Sequence, residues 1–213
     1  MRALTGGLVV ALLSALGTAP ADAVVLSGRV ATPEGKPIED AVVFVQDAGP
    51  VVDAANRAAT LDQVDKTFVP GLLPIVVGTR VNFPNHDQIQ HHVYSFSRTK
   101  TFELPLYKGE DAAPVLFDKV GVVKVGCNIH DWMSAIILVL PTPWFARTGA
   151  DGTFTIENVP DGMHSVVAWH ELSKVKPEDT AQTVNGAGLA LRYTLPLGPA
   201  RARPAMRGTR REP

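Results

Sequence analysis

Short runs in which apolar and polar residues alternate, punctuated by Gly and Pro about every ten residues, fill most of this chain. A period of two with frequent turn signals predicts strands rather than helices, and therefore an all-β protein. Residues 27–30 (SGRV) and 41–45 (AVVFV) read as two strands joined by a turn at 33–37 (PEGKP). A run of strands then begins at 68–70 and continues through 73–77, 79–83, 91–96, 101–106 and 114–117. Residues 123–127 (VKVGC) form the next, and alternation puts Val123, Val125 and Cys127 on one face. Met133, Ala135, Ile137 and Val139 share a face after the following loop. Asp151-Gly152 is a hairpin signal between 146–148 and 153–156. A turn at 159–162 leads to a strand over 165–170, and Leu189, Leu191, Tyr193 and Leu195 mark a last half-buried strand. Only residues 51–64 (VVDAANRAATLDQV) carry a helical pattern.

The two ends change the picture. Arg2, an apolar run over 7–16 and Ala21-Asp22-Ala23 make residues 1–23 a secretory signal peptide, with cleavage before Val24. The apolar run is shorter than the roughly 20 residues a bilayer span takes, and no later run lacks charge, Pro or Gly. The mature chain is therefore expected in the periplasm or its equivalent, with no integral membrane segment. Residues 200–213 hold five arginines and no core-forming run, which predicts a disordered basic tail. A net charge of -1 gives no support for a nucleic-acid partner.

Candidate chemistry is concentrated in 127–133 (CNIHDWM). Cys127 is the single cysteine, so it has no partner for an internal disulfide. A thiolate, an imidazole three residues on and a thioether three further, with a second imidazole from His91-His92, form the ligand set of a mononuclear type 1 copper site. Thiolate and thioether suit the reduced ion and imidazoles suit either state. The expected roles are Cys127, His130 and one upstream imidazole in a plane, with Met133 axial. Zinc fits less well, because Met is a weak zinc ligand. Cys entering a loop and Met leaving it, between neighbouring strands, would hold three ligands with little freedom. Strand parity alone does not choose between His91 and His92. His86 lies in a polar loop and reads as solvated, and His164 and His170 fall in a different part of the chain.

Residues 83–85 (FPN), 91–95 (HHVYS) and 121–133 resemble the cupredoxin family. The C-x2-H-x2-M spacing resembles amicyanin, and the run that includes 102–107 (FELPLY) and 142–143 is similar to periplasmic proteins labelled methylamine utilisation proteins. The resemblance covers about residues 60–145. It implies a Greek-key β-sandwich, one copper ion cycling between Cu+ and Cu2+, and single-electron transfer with redox partners such as a c-type cytochrome or a quinoprotein dehydrogenase. Cupredoxins commonly read His-Asn-Val at the upstream position. That alignment makes His91 the ligand and sets His92 where the family's Asn ties the two ligand loops together.

Residues 28–30, 35–38 and 41–43 resemble the opening of carboxypeptidase regulatory-like domains, a transthyretin-like β-sandwich. The continuation of that pattern stands only at 151–156 (DGTFTI) and 159–162 (VPDG). One arrangement therefore splits a smaller sandwich into 24–59 and 146–199, with the cupredoxin inserted after Gln46. The competing one gives 24–46 to the cupredoxin as its first strands. Functionally, an electron carrier competes with a module for copper delivery, storage or sensing. An enzyme is not expected. Nitrite reductases and multicopper oxidases need additional His motifs, a binuclear copper centre needs two cysteines, and no other catalytic cluster is present.

Overall fold

The β-branched and aromatic residues that dominate the alternating runs pack best on pleated surfaces, and more than half of the described residues lie in strands. The computed structural model describes residues 23–47, 57–110, 112–186 and 190–199. Residues 1–22 of the expected signal peptide, the basic tail, Leu189 and the first part of the helical pattern lie outside the described residues. In chain order the strands are β1 (Ala23–Ala31), β2 (Val42–Val45), β3 (Ala58–Thr60), β4 (Asp62–Val64), β5 (Thr67–Val69), β6 (Leu72–Val76), β7 (Thr79–Asn82), β8 (His91–Ser97) and β9 (Lys100–Tyr107). They continue as β10 (Val115–Phe117), β11 (Gly121–Cys127), β12 (Ser134–Leu140), β13 (Phe145–Arg147), β14 (Thr153–Pro160), β15 (Met163–Trp169), β16 (Gln182–Asn185) and β17 (Ala190–Thr194). The protein is an all-β sandwich structure.

A five-stranded sheet, β6-β12-β11-β8-β9, packs against the three-stranded sheet β10-β7-β3. Between them lie Ile75, Val81, Val93, Phe117, Val123, Val125, Ile137 and Val139, all buried. A second pair of sheets, β14-β1-β17 and β13-β2-β15-β16, encloses another core that includes Leu26, Val43, Phe154, Ile156, Val166 and Tyr193. A third cluster joins the two pairs. Val42 and Phe44 of β2 and Val167 of β15 meet Leu138 and Leu140 of β12. Strand β12 is therefore covered on both faces and reads as an unbroken apolar run, the pattern of a central strand.

Residues 28–45 find their backbone partners late in the chain. Gly28 of β1 pairs with Phe154 of β14, and Val43 of β2 pairs with Ala168 of β15. The backbone partners of β2 are β13 and β15, both outside the sheet that carries Cys127. Gly28 is required here, since a Cβ would lie 2.1 Å from the Leu191 carbonyl oxygen on β17.

Two expectations are corrected. The helical pattern over 51–64 ends in strands, because β3 pairs in parallel with β7 and β4 forms a hairpin with β5. Pairing of this segment across sheets outweighs the helix propensity of its Ala and Leu residues. The Asp151-Gly152 turn also does not close a hairpin between its flanking strands. Strand β13 pairs with β2 while β14 pairs with β1, so the chain crosses from one sheet to the other. Thr148 holds one arm by accepting from Ala41 N–H and donating to Ile38 C=O, and Val30 N–H donates to Gly152 C=O on the other.

Candidate metal centre

Cys127 ends β11 on the face that carries Val123 and Val125 into the core, and it is 3% exposed. The loop that follows is closed at its neck. Cys127 N–H donates to Met133 C=O at 3.2 Å, and Met133 N–H donates to His130 C=O at 2.9 Å. His130 therefore projects from a short, internally bonded loop, and Met133 lies buried at the start of the returning strand. The upstream imidazole comes from the first residue of β8. His91, Val93 and Ser95 face inward, whereas His92, Tyr94 and Phe96 face outward. His92 sits 2.9 Å from Glu103 on that outer face.

The inward histidine and the loop converge. Cys127 Sγ lies 3.7 Å from His91 Nδ1 and 3.7 Å from His130 Nδ1. All three donor atoms fall within 4.8 Å of one another. An ion bound at about 2.0 Å to nitrogen and about 2.3 Å to sulfur in a trigonal plane separates those donors by roughly 3.7 Å. The donor set thus fits a single first-row ion that tolerates thiolate and imidazole together. Of the residues singled out in the sequence, His91, Cys127 and His130 are brought together, and Met133 adjoins them through the backbone bonds of the loop. His92 is turned away. The side-chain tether expected at that position is replaced by a main-chain one, with Asn128 N–H donating to His92 C=O at 3.1 Å.

The surroundings hold the two imidazoles in place. His91 Nε2 lies 2.6 Å from Asp87 Oδ2, and the same oxygen accepts Lys66 N–H at 2.8 Å. Burial alone would raise the Asp87 carboxyl, but the His91 ring and the Lys66 and Asp65 amides hold it below the usual carboxylate range. Asp87 is therefore ionised at neutral pH and acts only as an acceptor. The His130 ring packs on Trp132 at 5.1 Å between centroids, and the indole N–H donates to Lys66 C=O. Burial, then the nearness of His91 and Lys66, keeps His130 below the ordinary histidine value, which favours a neutral ring with a free lone pair.

The loop that carries Asp87 is itself tied down. Asn85 donates through Nδ2 to the carbonyls of Ile89 and Tyr107, both at 2.9 Å, and its Oδ1 accepts Asp87 N–H. The Tyr107 hydroxyl donates to Phe83 C=O and accepts from Gln63 Nε2, each at 2.6 Å. Asn85 and Tyr107 entered the sequence reading only as parts of the FPN and FELPLY motifs, with no role assigned, and Asp87 and Gln63 were passed over. The signal of Asp87 was faint, since an Asp in a polar loop after Pro84 reads as ordinary turn chemistry. His86 is exposed, as its polar loop suggests, and pairs with Asp62.

No family model matches the chain, and no curated protein matches it. Among solved structures, a copper-containing nitrite reductase (NirK) from Thermus scotoductus SA-01 is 28% identical with a TM-score of 0.36. That match covers 38% of this chain and only 22% of the reductase. The reduced form of an amicyanin mutant is 20% identical over 46% of this chain and 97% of its own, with a TM-score of 0.36. A purple cupredoxin from Nitrosopumilus maritimus is 26% identical over 38% of this chain and 98% of its own, with a TM-score of 0.34. Each likeness therefore spans less than half of the present chain.

Proposed function

We propose that this protein is a mononuclear type 1 copper protein that carries single electrons between redox partners, in which His91, Cys127, His130 and Met133 would hold the ion. The observation that carries this reading is the convergence of one buried sulfur and two Nδ1 atoms at 3.7 Å from it. When bound, the ion supplies a one-electron couple between Cu+ and Cu2+. The protein's part is to hold the donors still. Cys127 is fixed by β11, His130 by its bonded loop and His91 by Asp87, so little rearrangement accompanies a change in charge. A ligand set shared by thiolate, thioether and imidazole serves both oxidation states.

The same reading takes 24–59 (first strands and linker) and 146–199 as one split, regulatory-like sandwich around the copper domain at 60–145, supported by the pairing of β1 with β14 and β2 with β15. It takes residues 1–23 as an export signal and the periplasm as the working compartment. A c-type cytochrome or a quinoprotein dehydrogenase is the partner this reading favours. Among the described residues no helix is long and apolar enough to cross a membrane.

Absorption and EPR spectra of the copper(II)-loaded protein test the function. Intense visible thiolate-to-copper absorption and reversible one-electron reduction are expected. Cys127→Ser should abolish the band, and a retained band refutes the ligand assignment. A colourless, redox-silent copper complex would instead assign delivery or storage.

A further inference from the structure

Among the described residues, Asp87 is the one carboxylate found bonded to an imidazole of the candidate centre, and its geometry does more than fill space. His91 is fully buried, and the Asp87 side chain is 11% exposed. An acceptor-only group 2.6 Å from Nε2 requires the ring proton on Nε2. The Nδ1 lone pair then faces Cys127 Sγ at 3.7 Å. The opposite tautomer would place a proton where a ligand atom is needed.

The carboxylate is also the centre of a clamp. Asp87 Oδ2 accepts Lys66 N–H from the β4–β5 turn, and the Lys66 carbonyl accepts the Trp132 indole N–H. The two turn residues, Asp65 and Lys66, have φ of 51° and 56°. A lysine in the left-handed region is unfavourable and persists where its surroundings over-determine it. Here they do so from both sides. The turn is gripped by Asp87, which touches His91, and by Trp132, which packs on His130.

We infer that Asp87, itself held by the β4–β5 turn, is a positioning residue that sets the tautomer and aim of His91 through its direct bond to Nε2, and that its negative charge weights the centre toward the doubly charged ion. The inference rests on the copper reading above for the second part only. Removing such an outer partner typically costs about 10–100-fold in metal affinity. Loss of the charge also favours Cu+ over Cu2+, and each tenfold change in that preference is about 59 mV for one electron.

Three readouts test it on the full mature chain. In the metal-free wild type, 15N-resolved NMR should show His91 in the Nε2–H form, with a downfield ring proton that exchanges slowly with water. Asp87→Ala should lose that protected proton. A wild-type His91 in the Nδ1–H form, or a protected proton that survives in Asp87→Ala, overturns the positioning role whether or not copper binds. With copper, Asp87→Asn keeps an acceptor oxygen but removes the charge. Its potential should rise and its copper(II) affinity fall about 10–100-fold, with the visible band retained. Asp87→Glu, which restores the charge, should recover part of both. A potential and affinity unchanged in Asp87→Asn overturn the electrostatic role while leaving the copper reading intact. Absence of a visible band in the wild type overturns the copper reading and the weighting of the ion with it, while the metal-free NMR still decides the tautomer.

Discussion

Replacing Asn85 by Asp exchanges an NH2 group for an oxygen and leaves the shape of the side chain unchanged. Asn85 is 3% exposed. Its Nδ2 donates to Ile89 C=O and Tyr107 C=O, each at 2.9 Å, and these bonds shape the loop between Phe83 and His91. In Asn85→Asp both carbonyls face an acceptor. Each buried group left unsatisfied costs about 1–3 kcal/mol, so the substitution should destabilise the protein by roughly 2–6 kcal/mol. That is a large part of the about 5–15 kcal/mol by which domains are ordinarily stable. The pH dependence has a definite sign. A buried carboxyl facing carbonyl oxygens has a folded-state pKa above the unfolded value of about 3.9. Its contribution is therefore most favourable below that value, where the acid can donate to one carbonyl, and stability is lost as pH rises through the raised pKa. Urea unfolding of the metal-free protein, followed by tryptophan fluorescence, should show a lower midpoint with unchanged slope at about pH 7. The gap to wild type should narrow near about pH 4. Asn82→Asp, at an exposed position of β7, is the control and should stay within about 0.5 kcal/mol. An Asn85→Asp variant equally close to wild type at neutral pH would refute the account of this loop.

Three further outcomes are expected. His92→Asn should keep the visible copper band while His91→Asn loses it, because only His91 faces Cys127; the reverse pattern in absorption spectra would overturn the assignment. Gly28→Ala would place a Cβ 2.1 Å from Leu191 O and 2.7 Å from the Phe154 ring. Overpacking of this kind costs about 1–3 kcal/mol, a fall in Tm of roughly 2–12 °C by calorimetry for a chain of this size. An unchanged Tm would argue against the β1–β17 pairing. Burial pushes the Tyr107 hydroxyl up to about 12, with the Cys127 and Asp62 charges adding and the Gln63 bond opposing. Its stabilising contribution is complete below about pH 10 and is lost as pH rises through about 12. The native protein minus Tyr107→Phe should therefore show only about a tenth of a full phenolate difference absorption at about pH 11, and most of a full one would refute the burial of this hydroxyl.

Much of the candidate centre was legible because it is local. Cys127, His130 and Met133 share one short loop, and the alternation of Val123, Val125 and Cys127 already set the sulfur on an apolar face. Strand positions from 68 onward could be read for the same reason, since a half-buried strand writes its two faces into neighbouring residues. The choice between His91 and His92 was different in kind. Parity says that adjacent residues point oppositely, but which of them points inward depends on what covers the sheet. Packing of Val93 into the core beside Cys127 turns His91 inward and His92 outward.

Long-range pairing governed the rest. The alternation around Asp151-Gly152 described two strands correctly and joined them wrongly, because partners for β13 and β14 lie more than a hundred residues earlier. The helical pattern over 51–64 includes residues 58–60, yet parallel pairing with β7 draws these into a sheet. Asp87 acquires its meaning from a ring on β8 and an amide in the β4–β5 turn. Order along the backbone was enough to specify an all-β chain with one cluster of sulfur and nitrogen donors, because those properties follow from nearest neighbours. Which histidine enters the cluster, how strands pair and what steadies the rings follow from folding alone, because each depends on contacts between segments far apart in the chain.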